Sequence, residues 1–226
     1  MSFGSGKRRF DLVCFDVDGT LVDDTIFIWQ TIHQALGSDE QECRRVSDDF
    51  HQGRITYAQW AQHDIDQWVK RDAGRDDLLH ALRGIRAMQG AEETLAALRQ
   101  AGCKLGIVSG TLDLSLELTL PHWRSLFDRV YLNILQFDGR DKVCGVQPTP
   151  YDMSMKGQGV LSIGREFDIE PARIAFVGDH YNDVSAARAA GFTIAFNCKS
   201  PELAQLAHAL VPGPDLRAIL PLLLDL

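Results

Sequence analysis

The 226-residue sequence is short of several things, and each shortage closes off a class of function. It has no run approaching the roughly 20 apolar residues of a membrane-spanning helix, so no membrane role is expected. Residues 1–9 are rich in Gly, Ser, Lys and Arg, with no apolar stretch before Phe10, which reads as a flexible tail rather than a signal peptide. Positive charge is in deficit. Lys and Arg number 23 against 31 Asp and Glu, for a formal charge of −8, which argues against a nucleic-acid surface because phosphate backbones need clustered cations. The five cysteines (Cys14, Cys43, Cys103, Cys144 and Cys198) are odd in number, scattered and never CxxC. Neither a disulfide frame nor a zinc site is expected from them, and reduced thiols fit a cytoplasmic protein. Cys14, two residues before Asp16, reads as either a reactive thiol or, the preferred reading, a small buried apolar side chain. The chain shows no internal repeat and no low-complexity segment.

What is present is an alternation of strand-like and helix-like stretches. Short apolar runs lie at 10–15, 104–108, 129–132, 173–177 and 193–196, with helical periodicity between them. Near-continuous apolar strands split by helices predict a parallel sheet covered on both faces. One of the intervening helices carries Ala91, Leu95 and Leu98, with Glu92 and Glu93 in its first turn, Arg99 in its last and Gly102 as its stop. Another runs over 182–190 and ends at Gly191.

Residues 23–86 read differently, with no strand and several amphipathic helices. One carries Trp29, Ile32 and Leu36 and stops at Gly37; another carries Tyr57, Trp60, Ala61, Ile65 and Trp68. Gly84 and Gly90 mark the return. Residues 131–145 predict a short hairpin turning at Asp138-Gly139, and the leucine-rich residues 216–226 a last helix packed on the sheet. The fold class expected is α/β: a doubly wound, Rossmann-like parallel sheet core (1–22 and 87–226), an inserted helical cap (23–86) and a short β-hairpin.

The chemistry sits at the ends of these strands. Asp16 closes the first, and Asp18, two residues on, faces the same way in an extended segment. One carboxylate can attack a phosphorus while the other manages the leaving-group proton. Asp179 and Asp183 form a second acidic pair at the end of another strand. Like charges gathered in one place are costly without a metal, and a hard, oxygen-ligated ion such as Mg2+ is the economical answer. Ser109, followed by Gly110, offers a hydroxyl and a bare backbone N–H for phosphate oxygens. Lys156 precedes Gly157-Gln158-Gly159 at a helix start, where a phosphate and an attacking carboxylate would explain it better than the helix dipole does.

With these segments in this order, the sequence resembles phosphatases of the haloacid dehalogenase superfamily, and most of all their phosphoserine-phosphatase-like branch, whose helical cap follows the first strand. The likeness runs over 15–22, then Gly90-Ala91-Glu92-Glu93-Thr94 leading to Ser109-Gly110, then Lys156-Gly157, 178–183 and Ile194-Ala195-Phe196. It implies that Asp16 forms a phosphoaspartate and that Asp18 is the general acid and later the base. It also implies that Asp16, the main-chain carbonyl of Asp18 and Asp179 hold Mg2+, with Asp183 orienting water on the metal. Ser109, the Gly110 N–H, Lys156 and Asn182 would hold the phosphoryl group. Asp18 speaks against a dehalogenase, which has no need of that acid.

Two positions depart from the branch. Thr25 stands where a cap glutamate meets the substrate amino group, and Asp64, counted without gaps from Gly53, where a cap arginine holds its carboxylate. An acid there repels a substrate carboxylate, so phosphoserine is not expected. Thr25, Tyr57 and Asp64 are candidate specificity residues for another small phosphomonoester, one with hydroxyls or a cationic group. Asp64 has a second reading, as an acid paired with Arg54 or His63. His180, where the family usually has glycine, has two readings, at the edge of the site or facing solvent, of which the second is preferred. Two other functions stay open: a phosphotransferase or phosphomutase using the same aspartyl phosphate, and a non-catalytic regulatory protein.

Overall fold

The computed structural model describes residues 7–25 and 27–225. The chain opens with β1 (Lys7–Arg8) and β2 (Leu12–Phe15), and β3 (Val22–Asp23) follows the acidic turn. Four helices come next: α1 (Ile28–Leu36), α2 (Glu40–His51), α3 (Tyr57–Val69) and α4 (Arg75–Ala81). The chain then returns through β4 (Arg86–Ala87), which pairs antiparallel with β3. From there strands and helices alternate: α5 (Ala91–Gln100), β5 (Lys104–Leu112), α6 (Asp113–Thr119), α7 (Trp123–Leu126), β6 (Arg129–Phe137), β7 (Val143–Gln147) and α8 (Lys156–Glu166). The last elements are β8 (Ile174–Gly178), α9 (Val184–Ala189), β9 (Phe192–Phe196), α10 (Pro201–Leu206), β10 (Ala209–Val211), α11 (Leu220–Leu223) and β11 (Leu224–Asp225).

Seven strands make the central sheet, in the order β10-β9-β8-β2-β5-β6-β7, all parallel except β7. This is the α/β, doubly wound sheet expected from the sequence. Every residue of β2 and of β8 is buried, as central strands covered by helices on both faces require. The chain builds outward from β2 to β5, β6 and β7, then crosses back to add β8, β9 and β10 on the other side. The order therefore reverses at β2, and ligands of open α/β sheets bind at the carboxyl ends of strands beside such a point.

Two of the four inserted helices start where the sequence supplies side-chain caps. Asp39 accepts from the N–H groups of Gln41 and Glu42 at the start of α2, and Thr56 and Gln59 form a reciprocal capping box on α3. Ile28, Ile32, Ala61, Ile65, Trp68, Leu78 and Leu82 bury against one another and against Leu112, Leu114, Leu135, Val143 and Val146 of the sheet side. Each large side chain in that cluster contributes about 1.5–3 kcal/mol of burial. The insertion is thereby seated on the β6–β7 hairpin.

Several local expectations need correction. Residues 7–8 are not tail but the strand β1, paired with β11; residues 1–6 lie outside the described residues. The C-terminal leucines form a 3-10 turn, the one-turn α11 and β11 rather than one helix. Residues 181–183 are a 3-10 turn that hands over to α9, which ends at Ala189 with Ala190 already extended. The hairpin turn spans 138–142, closed by Asp138 N–H to Lys142 O at 2.8 Å, and its left-handed residue is Asp141, not Gly139. Cys14 is fully buried, and burial pushes its thiol well above the ordinary range, which makes it an inert core side chain. No helix of the described residues is long and apolar enough to cross a membrane.

Candidate active site

Three neighbouring strands deliver the acidic and hydroxylic residues to one place. Asp16 and Asp18 follow β2, Asp179 follows β8, and Ser109 lies in β5 where the ladder to β6 loses register between Val108 and Leu112. That irregularity frees Ser109, Gly110 and Thr111 from sheet pairing to face the site. Lys156, the first residue of α8, is fully buried and donates to Asp16 Oδ1 and to Asp183 Oδ1, each at 2.7 Å. The other oxygen of Asp183 accepts from the Asp179 N–H at 2.9 Å and the His180 N–H at 3.1 Å, which fixes the turn carrying Asp179. Gly19 has φ +79°, and a Cβ there would collide with the Asp179 carboxylate. Only glycine satisfies both conditions.

Asp18 is held apart from this group. Thr111 Oγ1 donates to its Oδ1 at 2.6 Å, and the Ile28 N–H, the first of α1, donates to its Oδ2 at 2.9 Å. Burial, with Asp16 adding and Thr111 opposing, pushes its carboxyl up to about 7. Thr111 was not singled out from the sequence, although it directly follows Ser109-Gly110.

Charge is crowded here. Burial, then Asp16 and Asp183, push Asp179 up to about 8 in spite of the hydrogen bond from Lys199. Burial and Asp16 push Asp183 up against the pull of Lys156. Burial alone would lower Lys156, but Asp16, Asp183 and Asp152 outweigh it and hold the ammonium above its usual range. Asp16, Asp179 and Asp183 bring one carboxylate oxygen each to within 4.8 Å of one another, and Asp179 Oδ1 is buried with no partner. Three buried acids with an orphaned oxygen suit a hard divalent cation. Asp183 completes this carboxylate triad, while both side-chain oxygens of Asp18 are bonded, to Thr111 and Ile28, so that its main-chain carbonyl is the group it has to offer.

A cavity of about 510 Å³ opens from this point into the insertion. Asp16, Asp18, Ser109, Gly110, Asp179, Asn182, Tyr57 and Asp64 all line it, with Lys156 and Asp183 directly behind. Thr25 does not: it is buried away from the cavity, just after Asp24 takes a left-handed turn. His180 is half-buried against Phe27 and Tyr181 and lines the cavity, so it does not simply face solvent. Asp64 pairs with His33 at 3.4 Å and His63 at 3.5 Å, not with Arg54, which turns to Asp49.

Asp152 escaped the sequence reading. It is buried, lines the cavity, leaves Oδ1 unpartnered and lies so close to Gly110 that any Cβ at 110 would overlap its carboxylate. Its position four residues before Lys156 was the available signal. The Gly110 carbonyl is gripped twice, by Trp29 Nε1 of α1 at 2.8 Å and by Asn133 Nδ2 of β6 at 2.6 Å. Asn133 also donates to the Tyr57 hydroxyl at 2.7 Å. The insertion is thus bonded to the irregular end of β5.

Residues 10–191 match the family model for haloacid dehalogenase-like hydrolases. The chain belongs to that family. This hydrolase is similar to a phosphoserine phosphatase of Methanocaldococcus jannaschii, 26% identical over 95% of this chain and 98% of that protein. It is 28% identical to the phosphoserine phosphatase SerB2 of Mycobacterium tuberculosis over 98% of its own length, but spans only 52% of that longer protein. A substrate-bound phosphoserine phosphatase structure overlays with a TM-score of 0.74 at 25% identity, covering 96% of this chain and 100% of that one.

Proposed function

We propose that this hydrolase is a Mg2+-dependent phosphatase that cleaves a small phosphomonoester through an aspartyl phosphate on Asp16. The observation that carries the reading is the buried set of Asp16, Lys156, Asp179 and Asp183 beside Asp18, a carboxyl of different environment and higher proton affinity than an ordinary aspartate. Asp16 attacks the phosphorus, and the bond to the ester oxygen breaks as Asp18 gives that oxygen its proton. Asp18 then takes a proton from the water that attacks the aspartyl phosphate, which returns Asp16 and releases phosphate. Lys156 holds Asp16 oriented, while Ser109, the Gly110 N–H and Asn182 take the phosphoryl oxygens. Asp16, Asp179 and the Asp18 main-chain carbonyl would hold Mg2+, oriented by Asp183. When bound, the cation neutralises phosphoryl charge and the crowded carboxylates.

In this reading residues 23–86 act as a cap over a core of 1–22 and 87–226; the bond from Trp29 to the Gly110 carbonyl and the one that the Tyr57 hydroxyl accepts from Asn133 support a closed position, which would exclude water. Asp64 on the cavity wall disfavours a substrate carboxylate, so phosphoserine is not the preferred ester. The test is phosphate release from a panel of phosphomonoesters, with Mg2+ and with EDTA, beside the Asp16→Asn variant. Metal-dependent release lost in the variant is expected. Release that survives the substitution would overturn the reading, and a preference for phosphoserine over polyol and amine esters would overturn its substrate clause.

A further inference from the structure

The cavity runs on from the acids into the helices of the insertion, as far as His33 and Asp64. Two helices lead away from the catalytic end: α1, whose Ile28 N–H meets Asp18, and α3, whose Tyr57 hydroxyl meets Asn133. They meet again at His33 and Asp64, 3.4 Å apart. At 1.5 Å of rise per residue, Ile28 to His33 spans about 7.5 Å and Tyr57 to Asp64 about 10 Å. Between these ends Trp29, Tyr57, Trp60 and Ala61 line one side, and Ser47 and His51 of α2 line the other. The result is a sleeve with one aromatic side and, at the tip where α1 and α3 meet, a buried acid; the other acid of the helices on its lining, Glu40, is exposed.

The tip lacks a strong partner for its acid. Both imidazole contacts of Asp64 exceed the range of a good N–H···O bond. Among the described residues lining the cavity, Arg44 is the one Lys or Arg; its side chain is 71% exposed and leans toward Glu40. A metal ion on His33, Cys43 and Asp64 fits poorly, although their donor atoms lie within 4.8 Å of one another. Buried Trp68 donates its indole N–H to His33 Nδ1 at 3.1 Å, which occupies that lone pair and leaves the ring hydrogen of the uncharged form on Nε2. The carboxylate instead calls for a ligand that donates and carries positive charge, and the aromatic side favours an organic ammonium.

Building on the phosphatase reading, we propose that the leaving group is an extended amino alcohol, whose chain runs between α1 and α3 and whose terminal ammonium pairs with Asp64. Phosphate esters of ethanolamine, aminobutanol and aminohexanol test it, beside alkyl phosphates and diol monophosphates of matching length, with phenyl phosphate reporting basal turnover. In the wild type, kcat/KM is expected to rise along the amine series, and aminohexyl phosphate to exceed hexyl phosphate by about tenfold or more. Asp64→Asn, which keeps the shape, should bring that ratio close to one. Ala61→Phe, which fills the sleeve, should lower the ratio of long to short esters.

Equal rates for ammonium and methyl ends in the wild type overturn the tip assignment. A hydroxyl end that matches the ammonium overturns its charge, and an optimum at ethanolamine overturns the length, moving the cation to Asp152. Each of these leaves phenyl phosphate hydrolysis intact. Absence of release from every ester, phenyl phosphate included, overturns the phosphatase reading itself.

Discussion

Replacing Lys156 by Met keeps a similar side-chain length and deletes the charge. The ammonium is fully buried and 2.7 Å from a carboxylate oxygen of both Asp16 and Asp183, so its loss leaves two acids facing each other with Asp152 close by. Lys199 cannot compensate, being 32% exposed and engaged with Asp179. Removing one partner of a buried ion pair costs about 3–5 kcal/mol. In a chain of this length each kcal/mol moves the melting temperature by about 2–4 °C, so the variant should melt roughly 6–20 °C lower. The assay is thermal unfolding followed by circular dichroism at neutral pH in EDTA, which keeps divalent cations from filling the gap. Adding Asp183→Asn should restore part of the loss, since the amide oxygen still accepts from the Asp179 and His180 N–H groups while one uncompensated charge disappears. A shift under about 2 °C, or a double variant less stable than the single one, would refute the electrostatic account.

Thr111→Val removes the 2.6 Å donor to Asp18, worth about 1.5–3 kcal/mol for a charged acceptor, and should lower kcat about ten- to a hundredfold. Steady-state kinetics with unchanged kcat would take Thr111 out of the chemistry. Trp29→Phe keeps an aromatic ring, though a smaller one, and deletes the N–H on Gly110 O; it should cut kcat/KM about fivefold, at about 1 kcal/mol for one hydrogen bond. Parity with the wild type would deny that bond a part in assembling the site. Asp11 is held below the usual carboxylate range, chiefly by its hydrogen bond from Arg173. Its contribution to stability is therefore full above about pH 4 and fades as pH falls through its native value. Asp11→Asn should lose about 0.5–1 kcal/mol near neutrality and progressively less in acid, by urea unfolding; a constant difference would contradict the sign.

The acids, the serine and the lysine were readable because each sits within a residue or two of a strand end or helix start, where short-range pattern fixes position. Thr25 shows where counting fails. The chain between Asp18 and α1 passes through the two-residue β3 and the left-handed Asp24, and that detour turns Thr25 away from the cavity. Asp64 was placed correctly on the apolar face of α3, but its partner His33 lies on another helix, 31 positions back, and only folding brings them together. Asp152 was hidden because its role depends on Gly110, on a different strand end. The helix α2 was not singled out because its charges are spent on pairs such as Arg45 with Glu42 and Asp49, which leave only Val46 buried. The strands β1, β10 and β11 are two or three residues long, too brief for any alternation to register.

The double grip on the Gly110 carbonyl means that the end of β5, proposed above to face the phosphoryl group, belongs to neither half of the molecule alone. One hand is Asn133 from the sheet, which fixes that strand end permanently; the other is an indole carried by the helices above. Lifting those helices would release the indole hand and the Ile28 N–H on Asp18 in the same movement. In the proposed reading, an ester that fails to let the helices settle would meet a slack strand end and an unanchored acid, so fit at the distant end of the cavity and competence at the phosphorus would be assembled by a single event.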